Sequence, residues 1–414
     1  MSSSNKYKES IFNVHHSIGL NWYVFNTLHK GLLRLKSNDI VLSDIADPVL
    51  INNGFVVPID KDEHADLTRI RFKTGNTSQF KYFRIVTTTA CNARCSYCYE
   101  QGMPSVSMSP EVAHAVAEFI CRKSAYASKI SLCWFGGEPF LNSGVISTII
   151  QDIEKWHNNR NLQIRSSFIS NGSLIDDSMV FQMTHFWHTS DIQISMDGCG
   201  WEYEQIKRYI GNQYSFETIV SNIKRIIAAG IKVRIRINVD RHSIGRAKRL
   251  VDFFSSEISP SPLFTLYPGF LFDGFHDSNP AIISNNDWPE RLGFIDYIHS
   301  KGYTISLLPG RRDVACYACR KDNFLIDPKG NLFKCAQHFA ERPPKPLGTV
   351  FDDRIEQGSW TDISIPDECM SCPCLPMCQG GCKAARLTNL RLDRCFTSLD
   401  AIHSYIEREV SKLS

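Results

Sequence analysis

Phe83-Arg84-Ile85-Val86-Thr87-Thr88-Thr89-Ala90-Cys91-Asn92-Ala93-Arg94-Cys95-Ser96-Tyr97-Cys98-Tyr99-Glu100 is the stretch that decides the fold. Phe83–Thr88 reads as a strand, and three cysteines spaced Cys-x3-Cys-x2-Cys follow it directly. Three thiolates at this spacing can take three irons of a cubane 4Fe–4S cluster, leaving the fourth iron without a protein ligand. A zinc knuckle borrowing a fourth ligand competes with this reading. Zinc sites, however, are usually built from separated Cys pairs, not from a tight triplet behind a strand.

Working outward, residues 79–308 alternate short apolar runs with helical patterns. Strands are expected at Phe83–Thr88, Ile130–Phe135, Gln163–Ile169, Asp191–Ser195, Val233–Val239 and Leu263–Tyr267. Helices are expected at Pro110–Ser124, Gly144–His157, Phe216–Ala229, Ile244–Phe254 and Asp287–Ser300, with Ser109-Pro110 as a start and Gly230 as a stop. Such alternation predicts right-handed βαβ units and an α/β fold, a partial (β/α)6 TIM-like barrel. Parallel sheets of this kind place their chemistry at the C-terminal strand ends, where the triplet falls. Residues 1–78 predict a small separate α+β element, in which Asn53-Gly54-Phe55-Val56-Val57 reads as a hairpin or wing. After Leu308-Pro309-Gly310, residues 309–414 turn to short segments, turns and cysteines, the pattern of a domain held by metal.

The 414 residues are 43% hydrophobic and 21% charged, with a formal charge of +3. That balance gives no bulk attraction to nucleic acid or membrane, and Lys207-Arg208 and Arg246-Ala247-Lys248-Arg249 read as solvated helix faces. Met1–Lys8 is polar, and no apolar run is long enough to span a bilayer, so a cytoplasmic protein is expected. In a reducing compartment fifteen cysteines point to metal or redox chemistry, not disulfides. Cys121 and Cys133 read as core residues of a helix and a strand.

Later strand ends add polar groups. Phe135-Gly136-Gly137-Glu138-Pro139 offers close backbone approach and an acceptor for an ammonium group. Ser170-Asn171-Gly172 and Ser195-Met196-Asp197-Gly198 close the next two strands, and Arg236 and Asn238 share one face of the fifth. Towards the C-terminus come Cys316-x2-Cys319, Cys335, Cys369-x2-Cys372, Cys374, Cys378-x3-Cys382 and Cys395. A hairpin turning at Pro328-Lys329-Gly330 would return Cys335 towards Cys316 and Cys319.

The triplet, with aromatic Tyr97 before its last cysteine, resembles the radical S-adenosylmethionine (SAM) superfamily. The resemblance implies that Cys91, Cys95 and Cys98 hold a cluster that reductively cleaves SAM to methionine and a 5′-deoxyadenosyl radical. Gly136, Gly137, Glu138 and Pro139 resemble the motif that holds the SAM amino group; Asn171, Ser195 and Asp197 resemble further SAM-site signatures. Arg208 matches an arginine that in relatives contacts the SAM carboxylate, against the plainer reading of an exposed helix arginine. Cys199-Gly200-Trp201-Glu202-Tyr203 departs from the relatives, which continue with Pro and a His-Asp pair, and so loosens that match. The C-terminal cysteines resemble the SPASM domain, as do Leu347-Gly348-Thr349-Val350 and Gln379-Gly380-Gly381-Cys382. By that resemblance Cys316, Cys319, Cys335 and Cys382 bind one auxiliary 4Fe–4S cluster, and Cys369, Cys372, Cys378 and Cys395 a second. Cys374 is left over. Two structural zinc sites are the competing reading.

Relatives of this architecture act mostly on peptides or proteins, with electrons from a low-potential donor such as a flavodoxin or ferredoxin. In the anaerobic sulfatase-maturating branch an aspartate usually follows the cysteine that corresponds to Cys335. Here Ala336 stands there. The alternative branch crosslinks or epimerises ribosomally made precursor peptides, and residues 1–78 would suit leader recognition by strand addition. On that reading, deleting residues 1–75 should abolish precursor binding and spare SAM cleavage. A tRNA-modifying enzyme and a non-enzymatic metal-dependent binding protein are ranked lower.

Overall fold

Five short strands precede the cysteine triplet: β1 (Tyr7–Glu9), β2 (Asn13–Ile18), β3 (Asn21–Asn26), β4 (Leu32–Leu35) and β5 (Val56–Pro58). The computed structural model describes residues 6–412 apart from 38–39, 46, 78, 158–161, 271–287, 307, 309, 342, 363, 389–393 and 396. Met1–Asn5, the boundary residue 78, the helix start at Asp287 and the boundary residue Pro309 therefore lie outside the described residues. The strands β2-β3-β4 form an antiparallel sheet, while β1 pairs with β5. The expected hairpin at Asn53–Val57 is thus corrected. Its second half is β5, whose partner lies some fifty residues upstream, because Pro48–Asn52 is helical and Gly54 turns the chain out of that helix. The wing-like sheet lies earlier, at β2–β4.

Six parallel strands follow: β6 (Phe80–Thr88), β7 (Lys129–Gly136), β8 (Gln163–Ser170), β9 (Thr189–Ser195), β10 (Lys232–Val239) and β11 (Phe264–Phe270). They stand side by side in sequence order, the (β/α)6 arrangement expected. Along β6 the side chains divide by parity. Phe83 and Ile85 enter the fully buried helix-facing core with Ile130, Leu132 and Ile192, while Arg84 faces the opposite side, towards the site. Helices Pro110–Lys123, Ser143–His157, Phe216–Ala228, Ile244–Glu257 and Trp288–Ser300 lie where expected. Ser109 caps the first of them through Val112 N, with Pro110 behind it. Two short helices went unread, Asp177–His185 and Gly200–Lys207, each too brief to show a clear period.

The C-terminal hairpin is present as β12 (Phe324–Ile326) and β13 (Leu332–Phe333), closed by Gly330 N donating to Asp327 O at 3.0 Å. It does more than return Cys335. β12 pairs in parallel with β6, so the hairpin extends the main sheet beside the strand that leads into the triplet. No described helix is long and apolar enough to cross a membrane.

Candidate active site

The triplet loop is set by the glycines of the neighbouring strand end. Gly137 N donates to Thr88 O at 3.0 Å and Glu138 N to Ala90 O at 2.9 Å. A Cβ on Gly137 would collide with the carbonyl oxygens of Ala90 and Thr89. Glycine is needed here so that two backbones can run in contact. Cys91, Cys95 and Cys98 then line one cavity of about 410 Å3, with Tyr97, Gly136, Gly137, Asn171, Ser195 and Arg236 around them. Burial pushes the Cys91 thiol up to about 12, so metal binding there must release a proton.

Glu138 lies behind the cavity wall. It is 0% exposed and does not line the cavity. Its carboxylate accepts from Ser170 Oγ at 2.9 Å, Asn171 N at 2.8 Å and Phe140 N at 3.3 Å. It acts as a brace for the end of β8, not as a free acceptor, and burial pushes it up to about 7 against the pull of those donors. Pro139 likewise stays behind the wall, its carbonyl accepting from Thr87 Oγ1 at 3.1 Å. Asn171 does face the cavity, and its Nδ2 donates to Asn92 Oδ1 at 2.8 Å within the triplet loop.

Arg208 lies outside the cavity. Helix Gly200–Lys207 ends one residue before it, and Arg208 takes a left-handed conformation (φ 48°) with its side chain exposed. Lys207 goes inside instead. It is 0% exposed, and its Nζ donates to Tyr97 OH at 2.7 Å and Ser195 Oγ at 2.9 Å and pairs with Asp197 at 3.1 Å. Asp197 also accepts from Tyr97 OH and from Asn238 N. It therefore sits behind the cavity wall as the counter-ion of Lys207. Burial alone would depress the ammonium, but Asp197 beside it holds it well above the usual lysine range. The reading of Lys207-Arg208 as a solvated face is half right. Tyr203 stands four residues before Lys207 on the same buried face, which was the available signal.

Arg236 lines the cavity, and its buried Nε has no hydrogen-bond partner among the described residues. Two further residues escaped the sequence reading. Arg84 projects from β6 into the cavity, its guanidinium 4.7 Å from the Tyr317 ring centroid. Gln337 reaches in from the C-terminal region with Ala336, and its Oε1 is buried without a partner among the described residues. Only adjacency to Cys335 could have pointed to Gln337. Among the described residues lining this cavity there is no Asp or Glu.

The C-terminal cysteines form two groups. Cys316, Cys335 and Cys382 pack around Ala318, Trp360 and Ala384, and Cys319 contacts Cys316. Cys369, Cys372, Cys378 and Cys395 interact with one another, and Cys374 touches Cys372 from the apolar cluster that contains Val14 and Met377. Among the described residues no three His, Cys, Asp or Glu side chains are grouped to hold a single ion. All-thiol sets of three and four are the donor chemistry that iron–sulfur clusters take.

A profile for the Radical SAM superfamily matches residues 85–253. Residues 85–253 therefore form a Radical SAM domain, an enzyme domain whose superfamily uses a 4Fe–4S cluster and SAM, and a cysteine-rich region follows it towards the C-terminus. A cysteine-type anaerobic sulfatase-maturating enzyme of Clostridium novyi is 21% identical over 368 residues, 78% of this chain and 93% of that one. Mycofactocin maturase MftC of Mycobacterium tuberculosis is 25% identical over 333 residues, 74% of this chain and 79% of that one. Two solved structures share the fold. Native anSMEcpe with bound AdoMet has a TM-score of 0.61 at 16% identity, covering 80% of this chain and 97% of that one. Streptococcus suis SuiB bound to precursor peptide SuiA has a TM-score of 0.53 at 14% identity, covering 91% and 95%.

Proposed function

We propose that this enzyme abstracts hydrogen from a side chain of a ribosomally made precursor peptide and forms a crosslink, the second hydrogen leaving as a proton and an electron, with the electron going to an acceptor of the ferredoxin class. One observation carries the choice of branch. The C-terminal region presents Ala336 and Gln337 to the cavity, and no described residue lining that cavity is a carboxylate. An amide can position a substrate group but does not replace the carboxylate that follows the corresponding cysteine in the formylglycine-forming branch. Similarity to MftC and to a SuiB–precursor complex supports a peptide substrate. Formylglycine formation is the alternative, favoured by similarity to the sulfatase-maturating enzymes.

Bound at the triplet, a 4Fe–4S cluster supplies the electron for SAM cleavage. Arg236, with its unpartnered Nε, is assigned to the SAM carboxylate in place of Arg208, with Ser195 and Asn171 beside it. The two C-terminal cysteine groups are assigned to two auxiliary clusters, and a flavodoxin or ferredoxin to electron supply. The N-terminal sheet is assigned to the leader peptide. Among the described residues its edge strand β4 pairs only with β3; exposed Arg34 lies on it and exposed Lys30 and Lys36 flank it, which suits an acidic extended segment.

Anaerobic reconstitution followed by SAM cleavage under strong reductant tests the enzyme. About twelve irons are expected, falling to about eight with loss of 5′-deoxyadenosine in the Cys91→Ala/Cys95→Ala/Cys98→Ala variant. Tandem mass spectrometry of short peptides encoded beside the gene should show two joined residues. A product that traps with a hydrazide marks an aldehyde and sinks the crosslink reading.

A further inference from the structure

Helix Glu63–Gly75 of the N-terminal element is built into the C-terminal cysteine region at three places. Its Arg71, 6% exposed, donates from Nη1 to Gln379 O at 2.8 Å and to Gln379 Oε1 at 3.0 Å, and from Nη2 to Ser364 O at 3.1 Å. Its last carbonyls accept from the residues just after Cys319: Arg320 Nη1 to Thr74 O at 3.2 Å and Lys321 N to Gly75 O at 3.0 Å. Its buried Leu67 packs with Phe12, Cys369 and Leu375.

Gln379 occupies a particular turn. Gln379, Gly380 and Gly381 are successive left-handed residues (φ 55°, 81° and 76°) that join Cys378 of one cysteine group to Cys382 of the other. Left-handed backbone is unfavourable for a non-glycine residue, so contacts from outside the turn favour this conformation of Gln379. Arg71 supplies such contacts from one side, and Arg386 from the other, through Nε to Gly380 O at 2.9 Å. A Cβ on Gly381 would strike Arg394 O, so the turn also abuts the chain entering Cys395.

We propose that Arg71 is a positioning residue for both auxiliary cluster sites, fixing from the N-terminal element the turn that sets Cys378 relative to Cys382. This rests on the assignment of two auxiliary clusters above. The N-terminal element is thus part of the redox structure as well as the element assigned to the leader. A guanidinium suits the place because its planar fork reaches two carbonyls and an amide oxygen at once, which an ammonium cannot do in the same geometry.

Full-length Arg71→Met and Arg71→Lys are to be reconstituted anaerobically beside the unaltered chain, then read by iron count and EPR redox titration with and without SAM. Arg71→Met should keep the SAM-responsive signal while iron falls from about twelve to about eight or fewer. Arg71→Lys should shift the auxiliary midpoint potentials or lose auxiliary iron. Full iron with unchanged auxiliary potentials in both variants overturns the proposal. If Arg71→Met loses the SAM-responsive signal as well, Arg71→Lys decides by the same two readouts. About four irons in the unaltered chain would remove the auxiliary-cluster assignment itself, and this proposal with it. Full iron with no peptide product would remove only the peptide-maturase reading.

Discussion

Lys207 and Arg208 are neighbours in sequence and opposites in environment. Lys207 carries its charge into a wholly buried network with Asp197, Ser195 and Tyr97, whereas Arg208 caps the same helix in water. Lys207→Met removes the cation paired with the buried Asp197 carboxylate and should destabilise the protein by about 3–5 kcal/mol. Arg208→Ala should change stability by less than about 1 kcal/mol and leave SAM affinity within a factor of about two. Thermal melts and SAM binding to the holoenzyme check both, and the reverse ranking would restore Arg208 to the site. Glu138 gives a pH signature. Its folded value near 7 lies above the usual carboxylate value of 4.5, so the folded chain binds the proton more tightly than the unfolded one. The resulting stability is fully present below about 4.5 and is lost as pH rises through about 7. Glu138→Gln should flatten that slope in melts taken between pH 5 and pH 8.

Among the elements, the contact between the end of β7 and the triplet loop is the most exacting. Gly137 lies so close to Ala90 and Thr89 that even a methyl group must displace the loop. Gly137→Ala should cost about 1–3 kcal/mol as an overpacked contact. It should also lower iron occupancy at the triplet while sparing the C-terminal sites. Iron counting with and without SAM reads this directly. The β12–β13 hairpin shows the same dependence on neighbours. Its turn was legible from Pro328-Lys329-Gly330, but its parallel seat on β6 was not, because a three-residue strand carries no information about which edge it will join.

For the whole molecule, the N-terminal element changes how leader recognition must be tested. Deletion of residues 1–75 would also remove Arg71 and Leu67 from the C-terminal cysteine region, so lost activity would not report on peptide binding alone. Charge reversal on the β4 edge avoids this. Lys30→Glu/Arg34→Glu/Lys36→Glu should weaken binding of an acidic precursor at least tenfold, most strongly at low salt, with iron content and SAM cleavage unchanged. Unaltered affinity would remove β4 as the docking edge.

The amino-acid sequence alone determined what is local. The triplet, the Gly-Gly pair, the strand–helix alternation and the cysteine spacings each lie within a few residues, and their chemistry follows from residue type and register. The parallel sheet, five of its helices and the C-terminal hairpin were therefore legible. Only the tertiary structure decided which polar groups face the cavity. Glu138 turns inward because β8 supplies its donors, and Lys207 is buried while Arg208 is exposed because a helix ends between them. Arg71 becomes part of a cysteine framework more than 240 residues away. Burial, and with it charge pairing, is fixed by what other elements bring against a residue. That partner is set by packing across the chain, which no local pattern records.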